Sequence, residues 1–144
     1  MENKKYPSPY DYRTLHDYCA CLVQAGLAQD MTAAEREARR RVPKEAKIQS
    51  SIMAFLRSSE VAENGFFWKD AAGPYQQQGI PDIIGVYRGR FFAFEVKRPL
   101  LGRTTPLQEK ARIRINQSGG YAYIVTSAAE VRAILGFEDR RAGA

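Results

Sequence analysis

The sequence predicts an α/β fold in which a mixed β-sheet is flanked by helices, with a helical extension ahead of it. Three observations carry that expectation. Apolar residues recur at helical spacing after Glu45, at Ile48, Ile52, Phe55 and Leu56. Runs rich in aromatic and β-branched residues follow at 65–69, 83–87 and 90–94, the last two separated only by Arg88-Gly89. Two capping sequences, Thr105-Pro106-Leu107-Gln108 and Ser127-Ala128-Ala129-Glu130, then open helices on either side of a further strand-like run, 121–126. The resulting order is α-β-β-β-α-β-α, without an internal repeat.

The 144 residues fit one compact unit with a terminal extension, divided as a helical extension over 1–43, a main domain over 44–137 and a charged tail over 138–144. Lys and Arg number 22 against 16 Asp and Glu, a formal charge of +6 that suits a polyanionic partner. Cys19 and Cys21 are the only cysteines and read as reduced structural thiols, and the single His16 assembles neither a His-rich zinc site nor a Ser-His-Asp triad. No run of about 18 apolar residues occurs, and the first residues lead into prolines instead of an apolar signal core. A soluble, cytoplasmic protein with no membrane partner is expected.

Each element has a local reason. Pro7 and Pro9 favour an extended leader. Leu15, Tyr18, Cys19, Leu22 and Val23 give an apolar stripe to a helix over 11–28, weakened at Gly26. Thr32-Ala33-Ala34-Glu35 has capping-box spacing and opens a second helix that runs through Arg36, Arg39, Arg40 and Arg41 to a stop near Pro43. Its arginines suit either phosphate contact or the negative end of the helix dipole. In the third helix Glu45 lies three residues before Ile48 and seven before Ile52, so it follows the apolar face, although a glutamate in a first turn is also favoured by the dipole. The segment 70–79, with Gly73-Pro74 and Tyr75-Gln76-Gln77-Gln78, reads as a loop before Asp82. Thr105, Pro106 and Gln108 suit the N-cap, first and third positions of the next helix, which Gly119-Gly120 ends.

The hairpin concentrates the chemistry. If Arg88 and Gly89 form its two-residue turn, Tyr87 pairs with Arg90 and the ladder steps outward until Asp82 faces Glu95. Glu95 and Lys97 then share one face of their strand while Val96 points to the other. Facing carboxylates repel, so a positive group belongs between them. Lys97 supplies part of it, and a divalent cation with oxygen ligands would supply the rest.

Pro81-Asp82 followed by Glu95-Val96-Lys97 resembles the motif of the PD-(D/E)XK nucleases, and over residues 45–135 the chain is similar to the VRR-NUC family, the virus-type replication and repair nuclease domain. That resemblance implies a restriction-endonuclease-like core and an active site of Glu45, Asp82, Glu95, Lys97 and Gln108. Asp82, Glu95 and the main-chain carbonyl of Val96, with Glu45 as a further candidate, would hold Mg2+, for which Mn2+ would substitute. Lys97 would orient water or stabilise developing charge. Arg98, Arg103, Lys110, Arg112 and Arg114 are candidate phosphate contacts. Small stand-alone members resemble Holliday-junction resolvases and act as homodimers, so a homodimeric Mg2+-dependent endonuclease on branched DNA is expected. The rival expectation is a non-catalytic DNA-binding or assembly module that keeps the fold.

Overall fold

The structure, a computed structural model, describes residues 5–71 and 77–137, and the expected tail over 138–144 and the loop residues 72–76 lie outside them. The chain divides into two compact units. One is the chain up to Lys44 together with Arg98–Gly102; the other is Glu45–Lys97 together with the chain from Arg103.

In the first unit a 3-10 turn, Pro9–Asp11, stands in the leader expected to be extended. Helix α1 spans Leu15–Gln24 and α2 spans Met31–Arg41. The first starts later than the sequence suggested, and the second begins at a different cap. Thr14 accepts from the Asp17 N–H, so α1 starts four residues later than Asp11. Asp30 accepts from the Ala33 N–H at 2.8 Å, so Thr32 falls inside α2, and Glu35 pairs with Arg39 instead of closing a box. A carboxylate one position ahead of the helix is a good acceptor for its free N–H groups, and it displaces the hydroxyl as cap. Tyr18, Cys19 and Leu22 of α1 pack on Ala34 and Ala38 of α2, with Leu100 of the inserted segment against them.

The second unit carries the remaining elements. Helix α3 is Glu45–Leu56, and a short α4, Ser59–Ala62, follows it unforeseen. Strands β1 (Gly65–Lys69), β2 (Ile83–Tyr87) and β3 (Arg90–Val96) come next, then α5 (Pro106–Gln117), β4 (Tyr121–Val125) and α6 (Ala128–Ile134). The sheet runs β1-β2-β3-β4, with the first two pairings antiparallel and the last parallel. It is the expected mixed sheet. The β2–β3 turn places Arg88 at φ 49° and Gly89 at φ 76°, the left-handed pair that a two-residue hairpin turn of matching twist requires.

Alternation along the strands gives the sheet two faces. Ile83, Phe92, Phe94, Val96 and Val125 bury one of them against Ile48, Ile52 and Leu56 of α3 and Val131 of α6. Helix α5 serves the other. Its Asn116 side chain accepts from the Ala122 N–H at 2.8 Å and donates to the Ala122 carbonyl at 3.2 Å, filling main-chain groups of the edge strand that would otherwise be free to pair with another chain. No helix among the described residues is long and apolar enough to cross a membrane.

Candidate active site

The hairpin register decides what meets at its open end. Ile83 pairs with Phe94, so one step outward Asp82 faces Glu95. One further step puts Pro81 opposite Val96, and proline has no N–H to donate to the Val96 carbonyl. The Val96 N–H instead donates to Asp82 Oδ2 at 2.8 Å, which fixes the aspartate across the end of the ladder. On the β1 side the Asp70 N–H donates to the Asp82 carbonyl at 2.7 Å, extending the row to a residue the sequence had assigned to a loop. The run Phe66, Trp68, Asp70 of alternating outward residues was the signal available for it.

Glu95 is 5% exposed, and Gln49 is the only other buried polar or charged residue among those described. Its Oε1 accepts from Gln108 Nε2 at 2.8 Å and lies 3.4 Å from Lys97 Nζ. Its Oε2 is buried without a hydrogen-bond partner. Burial first, and Asp82 second, push the Glu95 carboxyl up to about 7, with Lys97 acting in the opposite direction. An orphaned carboxylate oxygen beside a second carboxylate is a deficit of positive charge. Two carboxylates and a main-chain carbonyl released by Pro81 are oxygen donors of the kind that hard divalent cations take, so these residues fit such an ion.

Gln108 serves two structures at once. Its Oε1 accepts from the Thr105 N–H and its own N–H donates to Thr105 Oγ1, completing the capping box of α5. Its Nε2 reaches Glu95. The cap that the sequence explains by local physics therefore also aims an amide at the buried carboxylate.

Other candidates are placed differently. Glu45 is the first residue of α3 and half-buried, and among the described residues no three His, Cys, Asp or Glu side chains gather closely enough to hold a cation. Glu45 therefore does not complete a trio with Asp82 and Glu95. The buried polar residue on its helix is Gln49, one turn further along the same face, while Glu45 sits where the helix dipole favours a carboxylate. Arg98 is corrected from phosphate contact to cap: its guanidinium donates to the carbonyls of Arg39, Val42 and Pro43 at 2.7, 2.9 and 3.1 Å, satisfying the C-terminal end of α2. Arg112 is held by Glu109, through its Nε at 3.2 Å and through Nη2. Arg103, Lys110 and Arg114 are exposed.

No family model and no curated protein matches the chain. Solved structures do. One described as "VRR_NUC domain" aligns with a TM-score of 0.52 at 21% identity, covering 63% of this chain and 92% of its own. Another, "VRR_NUC domain protein", aligns with a TM-score of 0.55 at 16% identity, covering 69% of this chain and 95% of its own. The fold is that of VRR-NUC domains.

Proposed function

We propose, from a fold shared with VRR-NUC domains and the donor set at its open hairpin end, that the protein is a metal-dependent endonuclease that hydrolyses DNA phosphodiester bonds. The buried, unpartnered Oε2 of Glu95 facing Asp82 is the observation that carries this reading. Packing alone gives no use for a carboxylate oxygen buried without a hydrogen-bond partner beside a second carboxylate.

Asp82, Glu95 and the Val96 carbonyl would hold Mg2+, and Mn2+ in its place. The bound ion supplies charge neutralisation at the nonbridging phosphate oxygens and a more acidic water. The chain does the rest. Asp82 is anchored by the Val96 N–H, so its free oxygen keeps a fixed bearing. Gln108 and Lys97 hold Glu95 Oε1, which would leave Oε2 to meet the ion. Lys97, with a side chain only 12% exposed and its Nζ 3.4 Å from Glu95 Oε1, would stand beside the reacting phosphate, where it orients water and stabilises the developing oxyanion. The net charge of +6 favours a polyanionic substrate.

Branched DNA is the substrate that fits a homodimer presenting two such sites to two strands. Four-way, flap, duplex and single-stranded DNA incubated with the protein, with and without Mg2+, provide the test. Cleavage should require the cation, favour branched forms, and fall at least about 100-fold in Asp82→Ala and Lys97→Ala while DNA binding persists. DNA binding with no cleavage of any form would instead identify a non-catalytic module.

A further inference from the structure

Gly79-Ile80-Pro81 leads into Asp82, and the last two of these residues bend little. The ring of Pro81 fixes its own φ, and its Cδ confines Ile80 before it to extended backbone. Asp82 is tied to the Val96 N–H at 2.8 Å, and Glu95, the residue before Val96, to Gln108 Nε2 at 2.8 Å. Gln108 in turn is held in the first turn of α5 by the capping box it forms with Thr105. A continuous run of stiff links and hydrogen bonds therefore leads from Gly79 through both carboxylates to the start of α5.

Gly79 closes that run into a ring. Its φ is 87°, and a Cβ built on it would stand 2.6 Å from the Leu107 carbonyl oxygen and 2.7 Å from the carbonyl carbon. Leu107 is the residue before Gln108, so main chain here lies directly on main chain. An obstructing side chain could turn aside, but this carbonyl belongs to a helix and cannot move without carrying Gln108 with it. Gly26, Gly89, Gly119 and Gly136 also have positive φ, yet nothing lies within 4 Å of a Cβ built on any of them. Turn geometry accounts for those glycines and leaves the close approach at Gly79 in need of another reason.

We infer that Gly79 is a positioning residue for the active site: its main chain, seated on the first turn of α5, holds Asp82 and the Gln108–Glu95 pair at one spacing. The seat acts through Ile80-Pro81 on one side and through Gln108 on the other, so the gap between the carboxylates is set by the chain itself. The inference rests on the endonuclease reading for what that spacing serves.

The full-length, isotope-labelled protein in EDTA gives two signals by nuclear magnetic resonance. The Gln108 side-chain amide reports its bond to Glu95, and hydrogen exchange at the Val96 N–H reports its bond to Asp82. Gly79→Ala should shift the first and speed the second roughly ten-fold, and in Mg2+ should lower kcat for DNA cleavage about 10- to 100-fold with KM little changed. Gly79→Asn separates the two demands on the position, because asparagine accepts a left-handed φ but still carries a Cβ. It should behave as Gly79→Ala does. Gly119→Ala, with φ 91° and open space at the other end of α5, meets the conformational cost alone and should leave both signals and kcat unchanged. If Gly79→Ala does not fold, Ile80→Gly softens the link but keeps the seat, and faster exchange at Val96 with the Gln108 amide unmoved is expected. Wild-type signals in Gly79→Ala, rescue in Gly79→Asn, an equal response in Gly119→Ala, or wild-type exchange in Ile80→Gly would each overturn the inference. The two readings fail separately, since the signals in EDTA need no cleavage. Loosened signals in Gly79→Ala without Mg2+-dependent hydrolysis by the wild type sink the nuclease alone, whereas wild-type hydrolysis and unmoved signals in Gly79→Ala sink the positioning role alone.

Discussion

Glu95 carries a conflict between stability and chemistry, since a side chain 5% exposed keeps one oxygen without a donor. Its carboxyl rises from 4.5 to about 7 on folding, so the folded chain binds this proton more tightly than the unfolded chain does. The stabilisation is fully present below the ordinary carboxylate range and is lost as pH rises through about 7. Without divalent cations, the wild type should therefore lose on the order of 3 kcal/mol from this group between pH 4 and pH 8.5. Glu95→Gln should abolish that part of the pH dependence, melt higher than wild type at pH 8.5, and no longer respond to Mg2+. Parallel stability curves for the two proteins would refute the assignment. Sequence reasoning foresaw that Asp82 faces Glu95 with Lys97 beside it because strand alternation and one turn fix their positions. It did not show whether Glu45 gathers with them, because helical phase places the residue on the apolar side but does not say how far a first-turn carboxylate reaches; among the described residues it forms no close trio with Asp82 and Glu95. Gln108 was ambiguous in the sequence because one short motif satisfies both a cap and a site.

Among the elements, the β2–β3 hairpin sets the register that brings Asp82 opposite Glu95. Two residues control it in opposite directions. Arg88 holds φ 49°, a conformation costly for a side chain with ordinary Cβ sterics, so Arg88→Asn should stabilise by about 0.5–1 kcal/mol without altering activity. A Cβ on Gly85 would stand 2.3 Å from the Phe66 carbonyl oxygen and 2.4 Å from the Phe67 ring, and main chain has nowhere to yield between paired strands. Gly85→Ala should cost about 2 kcal/mol or more in urea denaturation and displace β1 from β2. A stable Gly85→Ala protein with unchanged activity would contradict this register. The hairpin was legible because its turn, alternation and pairing are all local in sequence. Helix α4 has four residues and too short a period to show, and the start of α1 and the cap of α2 were misjudged because several polar residues near each start could serve.

At the scale of the whole molecule, the chain forms two units, and Arg98–Gly102 belongs to the first although Lys97 before it belongs to the second. No periodicity announces such an exchange; it depends on Arg98 finding the carbonyls of Arg39, Val42 and Pro43, more than fifty residues away in sequence. The mixed sheet was foreseeable from element order, whereas the partly uncovered face of aromatic residues was visible only after the strands were paired. On the proposed reading, the side chains at the open hairpin end would take up one divalent cation. Calorimetric titration of Mn2+ into the full-length protein at pH 8 examines that directly: saturable binding, lost in both Asp82→Asn and Glu95→Gln and weakening with proton uptake as pH falls below about 7, is the expected result. No binding to the wild type, or binding undiminished in both variants, would contradict it.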